Sequence, residues 1–463
     1  MLFLRWKLKK GAGCITIGIT NPSISRQHSE GGIVLATSTQ LRQRIAAGEW
    51  DPKLRALYGN TEQELCRQRA RYCAALEQFE LYFGPGRQVQ VYSAPGRAEL
   101  GGNHTDHQHG YGLAAAVTLD LVAVAARNTD GYVRVKSRGF NKLDVIDLTV
   151  AGPQEGEGTH SASLIRGIAE GFRAVGKTVG GFDAYTASDV LRGSGLSSSA
   201  AFEMGMAVIW NGEYDCGLAP TELAKICQYA ENTYFGKPSG LLDQLTSAVG
   251  GIIFADFADP ASPQIEKIHT DGLLPPGMSL CVTDTRGSHS ELTSEFAAIR
   301  KEMEQVAGTL GKKVLGQVTE SEFWAALPEL RSKCGDRAAL RAIHYFEENT
   351  RTLAQRDALQ AGKFAAFAAL VLESGRASFA LCQNVYCSTD VRHQGLSVAL
   401  ALSQCILQGR GAWRMQGGGF AGTIQAYVPR ELLERYHSEI ERVFGAGSCY
   451  VLRLREQGAV RVG

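Results

Sequence analysis

Residues 191–201 read Leu-Arg-Gly-Ser-Gly-Leu-Ser-Ser-Ser-Ala-Ala, and a helix-like run follows from Ala200 to Trp210. Gly193 and Gly195 have no Cβ, so the backbone there can turn sharply and come close to a ligand. A helix that starts at the serines presents unpaired N–H groups and partial positive charge at its first turn. Together these features make a phosphate cradle that needs no basic side chain. The hydroxyls of Ser197, Ser198 and Ser199 add donors or a place in a metal's shell. A Gly-Ser linker ahead of a helix would read the same way, so the stretch takes its meaning from the rest of the chain.

Two further stretches supply it. Residues 93–116 read Ser-Ala-Pro-Gly-Arg-Ala-Glu-Leu-Gly-Gly-Asn-His-Thr-Asp-His-Gln-His-Gly-Tyr-Gly-Leu-Ala-Ala-Ala, and residues 415–428 read Met-Gln-Gly-Gly-Gly-Phe-Ala-Gly-Thr-Ile-Gln-Ala-Tyr-Val. In this order the three stretches resemble the motifs of the GHMP small-molecule kinases. The first resembles the galactokinase version, in which Gly-Arg is followed by Gly-x-His-Thr-Asp. A fourth piece agrees: Ala230-Glu231, then Gly236-Lys237-Pro238-Ser239-Gly240-Leu241-Leu242-Asp243-Gln244, is similar to the segment that carries the catalytic aspartate of galactokinases. The resemblance runs from about Val89 to Val451.

It implies an ATP-dependent sugar 1-kinase with ATP and Mg²⁺ as co-substrate and cofactor. Gly193, Ser194, Gly195, Leu196, Ser197, Ser198 and Ser199 would hold the ATP phosphates, and Ser199 and Glu231 would hold Mg²⁺. A hydroxyl plus a carboxylate suits a hard cation that keeps several waters. Asp243 would be catalytic, orienting a sugar hydroxyl and accepting its proton. Arg97, always charged, would keep Asp243 ionised and stabilise charge on the attacking oxygen. Asn103, His104, Asp106, Gly240 and Phe296 would line the sugar site, and Gly417, Gly418, Gly419 and Gly422 would support the active-site loops. Three positions depart from the galactokinase pattern: Asn103 replaces a glutamate, Phe296 replaces a tyrosine, and Leu191 replaces a proline. These bear on which sugar is taken more than on the kinase chemistry. Galactose is the first expectation. Galacturonate, arabinose and N-acetylgalactosamine are the alternatives within the class, and a non-catalytic sugar and ATP sensor is the alternative outside it.

Composition narrows the field. The chain has 463 residues, with 48 Lys+Arg against 47 Asp+Glu, a net charge of +1, which argues against a nucleic-acid partner. Its eleven cysteines are an odd number without a C-x-x-C pair, which argues against a disulfide framework or zinc ribbon and suits a reducing cytoplasm. Met1–Ile19 is too polar for a signal peptide, no window is expected to reach membrane-spanning length, and small-molecule partners suffice for a monomer.

The fold expected is α+β in two domains, with the active site in the cleft between them. Residues 1–85 form an extension, poorly ordered to about residue 37 and helical from Ser38 to Phe83. Thr61 and Glu64 fit a capping box, and Leu65, Tyr72, Leu76, Phe79 and Phe83 share a face. Residues 86–275 and 276–463 make the two domains, divided where Pro275, Pro276 and two glycines cluster. Strand composition marks Val89–Ser93, Leu119–Ala125, Val133–Lys136, Val145–Leu148, Asp183–Ser188 and Gly251–Ala255. Helices are expected from about Ser161 (Ile165, Ile168, Phe172 and Val175 on one stripe), and over Thr221–Tyr234, Ser294–Leu310 and Tyr345–Glu373. Two motifs mislead. Gly171–Thr178 fits G-x-x-x-x-G-K-[ST], but a helix precedes it where a P-loop needs a strand. His104, Asp106, His107 and His109 have zinc-like spacing, but the sugar-kinase motif accounts for their flanks.

Overall fold

Val122, Val124 and Ala126 alternate with Leu121, Ala123 and Ala125 along one strand, and both sets are buried. Successive side chains of a strand point to opposite faces, so this sheet must be covered on both sides. The computed structural model describes residues 36–190, 195–237, 239–269, 274–275, 277–287 and 292–463, and shows that arrangement. The order expected for the first residues, and the roles expected of Gly193 and Ser194, lie outside the described residues.

Gln88–Gly101 and Tyr111–Arg127 form the long antiparallel centre of the first sheet. The order runs Ala36–Thr37, Gln88–Gly101, Tyr111–Arg127, Phe182–Ser188, Tyr132–Ser137, Leu143–Asp147, and Ile252–Asp256 extends it from the start of Tyr111–Arg127 to Gln264–Ile268. Tyr132–Ser137 and Phe182–Ser188 are parallel, and helix Ser161–Ala174 lies in the connection between them. One face packs on helices Ser161–Ala174, Ser198–Glu213, Pro220–Ala230 and Leu242–Val249. The other packs on Ser38–Ala46, Asp51–Tyr58 and Glu62–Phe83, with Leu41, Leu54, Tyr72 and Phe79 meeting Val91, Val122 and Val124. A second sheet, Ala412–Gln416, Thr423–Pro429, Met278–Asp284, Cys449–Leu452, is antiparallel throughout. Helices Gly395–Leu407 and Arg430–Phe444 pack on it, and Thr293–Thr309, Glu320–Cys334 and Asp336–Gln360 enclose a core of their own.

The elements differ from expectation in instructive places. Ser38–Phe83 is three helices, broken at Gly48 and Gly59, whose φ values of 80° and 96° suit glycine alone. Thr61 Oγ1 accepts from the Glu64 N–H at 3.4 Å, but the Glu64 carboxylate turns to Arg67 and Gln68, so the box is half made. Val175 lies past the helix end and is 52% exposed. Tyr345–Glu373 is two helices, Asp336–Gln360 and Phe364–Ala377, parted at Gly362 with φ 65°. Gly176, at φ 75°, closes helix Ser161–Ala174 ahead of a strand, the reverse of a P-loop. Phe364–Cys382 is 19 residues long and, contrary to expectation, apolar enough to span a bilayer by length and composition. Here it packs Phe367 and Val371 into the core, and Ser374 donates to Glu348 at 2.7 Å.

The chain end returns to the first sheet, where Val460–Arg461 pairs with Ser93 and Tyr92. Arg455, fully buried, donates to Ser93 Oγ at 2.6 Å and to Asp120 at 3.0 Å. Asp120 also receives Arg71 and the Tyr58 hydroxyl, both at 2.6 Å. Burial pushes the Asp120 carboxyl up, but Arg71 and Arg455 more than offset it and hold it below the usual range. One carboxylate therefore joins the helical extension, the sheet and the chain end. Asp120→Ala leaves buried Arg455 without a carboxylate and Arg71 with Asp189 alone, and is expected to lower unfolding stability by about 3–5 kcal/mol, read as the shift in urea midpoint.

Candidate active site

The strand Gln88–Gly101 carries two register irregularities, between Pro95 and Arg97 and between Glu99 and Gly101. Bulges of this kind bend a strand and re-aim its side chains, and proline is tolerated at them. Between them Arg97 turns into the cleft. Its Nε and Nη2 donate to the two oxygens of Asp243 at 2.7 and 2.9 Å, the bidentate geometry that suits guanidinium and carboxylate. Its Nη1 donates to Gly195 O, and its backbone N–H to Leu196 O at 3.1 Å. Gly96 has to be glycine, since a Cβ would lie 2.8 Å from Leu196 O.

Asp243 stands in the first turn of Leu242–Val249. Burial pushes its carboxyl up, but Arg97 and the Ser197 hydroxyl outweigh it and hold the group below the usual carboxylate range. Ser197 precedes helix Ser198–Glu213 in a left-handed conformation, φ 57°. Its hydroxyl donates to Asp243 and does not cap the helix. The first turn of the helix thus starts beside Asp243, and a helix N-terminus is a natural place for an anion. Leu196 is fully buried and offers only its backbone.

Glu231 opens a single π-helical turn, Glu231–Phe235, a rare form often found at functional sites. The carboxylate is buried and accepts from Ser199 Oγ at 3.3 Å, Lys237 Nζ at 2.8 Å, Gln244 Nε2 at 2.9 Å and Ser239 Oγ. The same Gln244 nitrogen reaches Glu203 at 3.0 Å. Burial, with the charge of Glu231 adding to it, pushes the Glu203 carboxyl well above its ordinary range.

Asp106 begins a short 3₁₀ turn and faces Gly240, where a Cβ would fall 1.5 Å from Asp106 Oδ2. Burial first, and then the Asp243 charge, push Asp106 up to about 7, against the His107 N–H that donates to it. His104 is pushed down to about 4, chiefly by burial, so its Nε2–H donates to Gly418 O at 2.9 Å as a neutral ring. Asn103 is 1% exposed. Its amide donates to Glu99 at 3.0 Å and to Gly417 O at 2.7 Å, and its oxygen accepts from Asn384 at 2.8 Å. Gly417 backs onto Gly195, where a Cβ would come 3.3 Å from its Cα. Gly419 and Gly422 take φ values of 89° and 90°, and Gly422 O accepts twice from Thr285. Phe296 lies against Gly418 and meets Phe420 edge-on at 5.4 Å.

The structure thus brings Arg97, Ser197, Ser199, Glu231 and Asp243 together, sets Asp106 and Gly240 beside them, and backs them with the third glycine motif. Glu99, Glu203, Asn384 and Arg414 belong to the same network and escaped the sequence. Glu99 carried a signal, since a carboxylate two residues beyond Arg97 on a buried strand needs a partner. That partner is Arg414, at 2.8 Å. Asn384 carried none.

A cleft of this kind, with an open helix tip beside a paired aspartate, defines a GHMP-type small-molecule kinase. The GHMP kinases N terminal domain matches residues 163–251, and the galactokinase galactose-binding signature matches residues 77–127. The chain is 32% identical over 371 residues to the galactokinase of Streptomyces coelicolor, covering 79% of this chain and 91% of that one, and it belongs to the galactokinase family. The fold is shared with Lactococcus lactis galactokinase complexed with galactose (TM-score 0.73, 24% identity, 83% of this chain and 98% of that one). It is shared more distantly with Methanococcus jannaschii mevalonate kinase (TM-score 0.55, 15% identity, 80% and 99%).

With Asp106 raised to about 7, the folded state favours its neutral form, so folding stability falls as pH rises through the interval from about 4 to about 7. Asp106→Asn removes that loss. The variant is expected to melt a few degrees above the wild type at pH 8, with the gap closing toward pH 4.5, as followed by circular dichroism.

Proposed function

We propose that the chain transfers the γ-phosphoryl group of ATP to the anomeric hydroxyl of a monosaccharide, galactose first, giving the sugar 1-phosphate and ADP. The observation that carries this is the bidentate Arg97–Asp243 pair held beside the N-terminus of helix Ser198–Glu213 through Ser197, in a chain of the galactokinase family. The two-domain reading, 86–275 and 276–463, finds support in where these groups originate. Arg97, the serines, Glu231 and Asp243 come from the first part, and Phe296 and Gly417–Gly422 come from the second.

Phosphoryl transfer asks for positioning and charge neutralisation more than covalent work. The first-turn N–H groups after Ser197 bind the phosphates. Asp243 orients the sugar hydroxyl and takes its proton as the bond to phosphorus forms, and Arg97 stabilises the charge on the attacking oxygen. Asp106, as a carboxylate, accepts from sugar hydroxyls, and Gly240 leaves the room they need. Asn103 shapes the wall of the site through Glu99, Gly417 and Asn384. Ser199 Oγ and the Glu231 carboxylate fit Mg²⁺, and the Lys237 ammonium already lies against that carboxylate as a stand-in cation. When bound, the ion neutralises charge on the phosphate oxygens.

Incubation with ATP, Mg²⁺ and single monosaccharides, followed by phosphorus NMR, is expected to show an anomeric phosphate from galactose. No product from any sugar would overturn the reading. The amide at Asn103, where the family usually has glutamate, favours including galacturonate, arabinose and N-acetylgalactosamine in the panel. Sugar-dependent ADP release would dispose of a sensor. Asp243→Asn is expected to lower kcat by about 10³-fold while ADP affinity stays within about twofold. Undiminished turnover would remove Asp243 from its role.

A further inference from the structure

Lys237 enters no step above. Its backbone is pinned under Glu231, for its N–H donates to Glu231 O at 3.1 Å, and Gly236 before it takes a left-handed φ of 80° that ends the π-helical turn. Its side chain is 55% exposed, while the Glu231 carboxylate that it meets is 3% exposed. That carboxylate also accepts from Ser199, so the ammonium lies within a few ångströms of the helix tip. Two other cations of the site are committed. Arg97 is divided between Asp243 and Gly195 O, and Arg414, fully buried, serves Glu99 and Leu100 O. Glu231 and Asp243 already place two carboxylates in the site, and a polyphosphate would add to that charge. A flexible ammonium with one exchangeable partner answers this need. An exposed ion pair has little value in itself.

We propose that Lys237 is a further catalytic residue, whose ammonium leaves Glu231 for the nucleotide's phosphate oxygens when the divalent cation takes the Glu231 carboxylate. This rests on the kinase reading above.

The test is calorimetric titration of the full chain with ADP, in EDTA and in Mg²⁺, for the wild type, Lys237→Met and Lys237→Arg. The Met variant is expected to bind ADP about tenfold more weakly in Mg²⁺ but within about twofold of the wild type in EDTA, and the Arg variant within about threefold of the wild type in Mg²⁺. In turnover, KM for ATP rises about tenfold while KM for the sugar is unchanged. Lys237→Gln keeps a neutral donor to Glu231 and is read in the same way should the Met variant fail to fold, with sugar binding reporting the folded state. ADP affinity of a folded, uncharged variant within about twofold of the wild type in Mg²⁺ overturns the proposal. A wild type that binds no ADP in Mg²⁺ overturns the kinase reading instead.

Discussion

The bidentate contact of Arg97 with Asp243 is the constraint around which the cleft is built. A guanidinium on a buried strand cannot stay unpaired, and a carboxylate at that depth would otherwise take up a proton. Each answers the other's need, and what remains of both is spent on the second motif. Arg97 holds the carbonyl of Gly195 and the backbone of Leu196, while Asp243 takes the hydroxyl of Ser197. Three segments distant in sequence are joined through one ion pair. Because Ser197 gives its hydroxyl to Asp243, it leaves its own helix uncapped by that hydroxyl.

Glycine is used here for closeness as much as for flexibility. At Gly96, Gly240 and Gly417 a methyl group would collide with a carbonyl or a carboxylate, or crowd a neighbouring backbone. Carbonyls of the third motif then act as acceptors. Gly417 O takes the Asn103 amide, and Gly418 O takes His104 and Asn384. The region of Asn103, His104 and Asp106 is therefore a polar lattice in which most groups already have partners. Asp106 stands apart as a carboxylate whose burial is not matched by a cation, which is why its proton is held so firmly.

Behind the site, the first sheet is covered on both faces, and this makes the helical extension part of the core. Leu41, Leu54 and Phe79 bury the face of Val122 and Val124 that would otherwise meet water. Asp120 fixes the arrangement by gathering Arg71, Tyr58, Ser93 and Arg455. The chain end is thereby held to the strand that carries Arg97.

Local signals carried much of this. The alternating apolar strands and the helix stripes of Leu65–Phe79 and Ile165–Phe172 follow from periods that neighbouring residues express, and the four motifs were legible through their resemblance to those of the family. The misjudged boundaries lay at Gly48, Gly59 and Gly362, where a single left-handed residue ends a helix that the apolar pattern would continue. The pairing of Glu99 with Arg414, the use of Asn103 by Asn384 and the closing of Asp120 by Arg455 were not legible, since each joins residues with no common period. The amino-acid sequence alone determined the family, the strand and helix types and the chemical groups at hand, because these depend on near neighbours. Tertiary structure alone decided which charges meet, which hydroxyl turns from its helix to Asp243 and which lysine meets Glu231, because those depend on distances the chain sets only once it is folded.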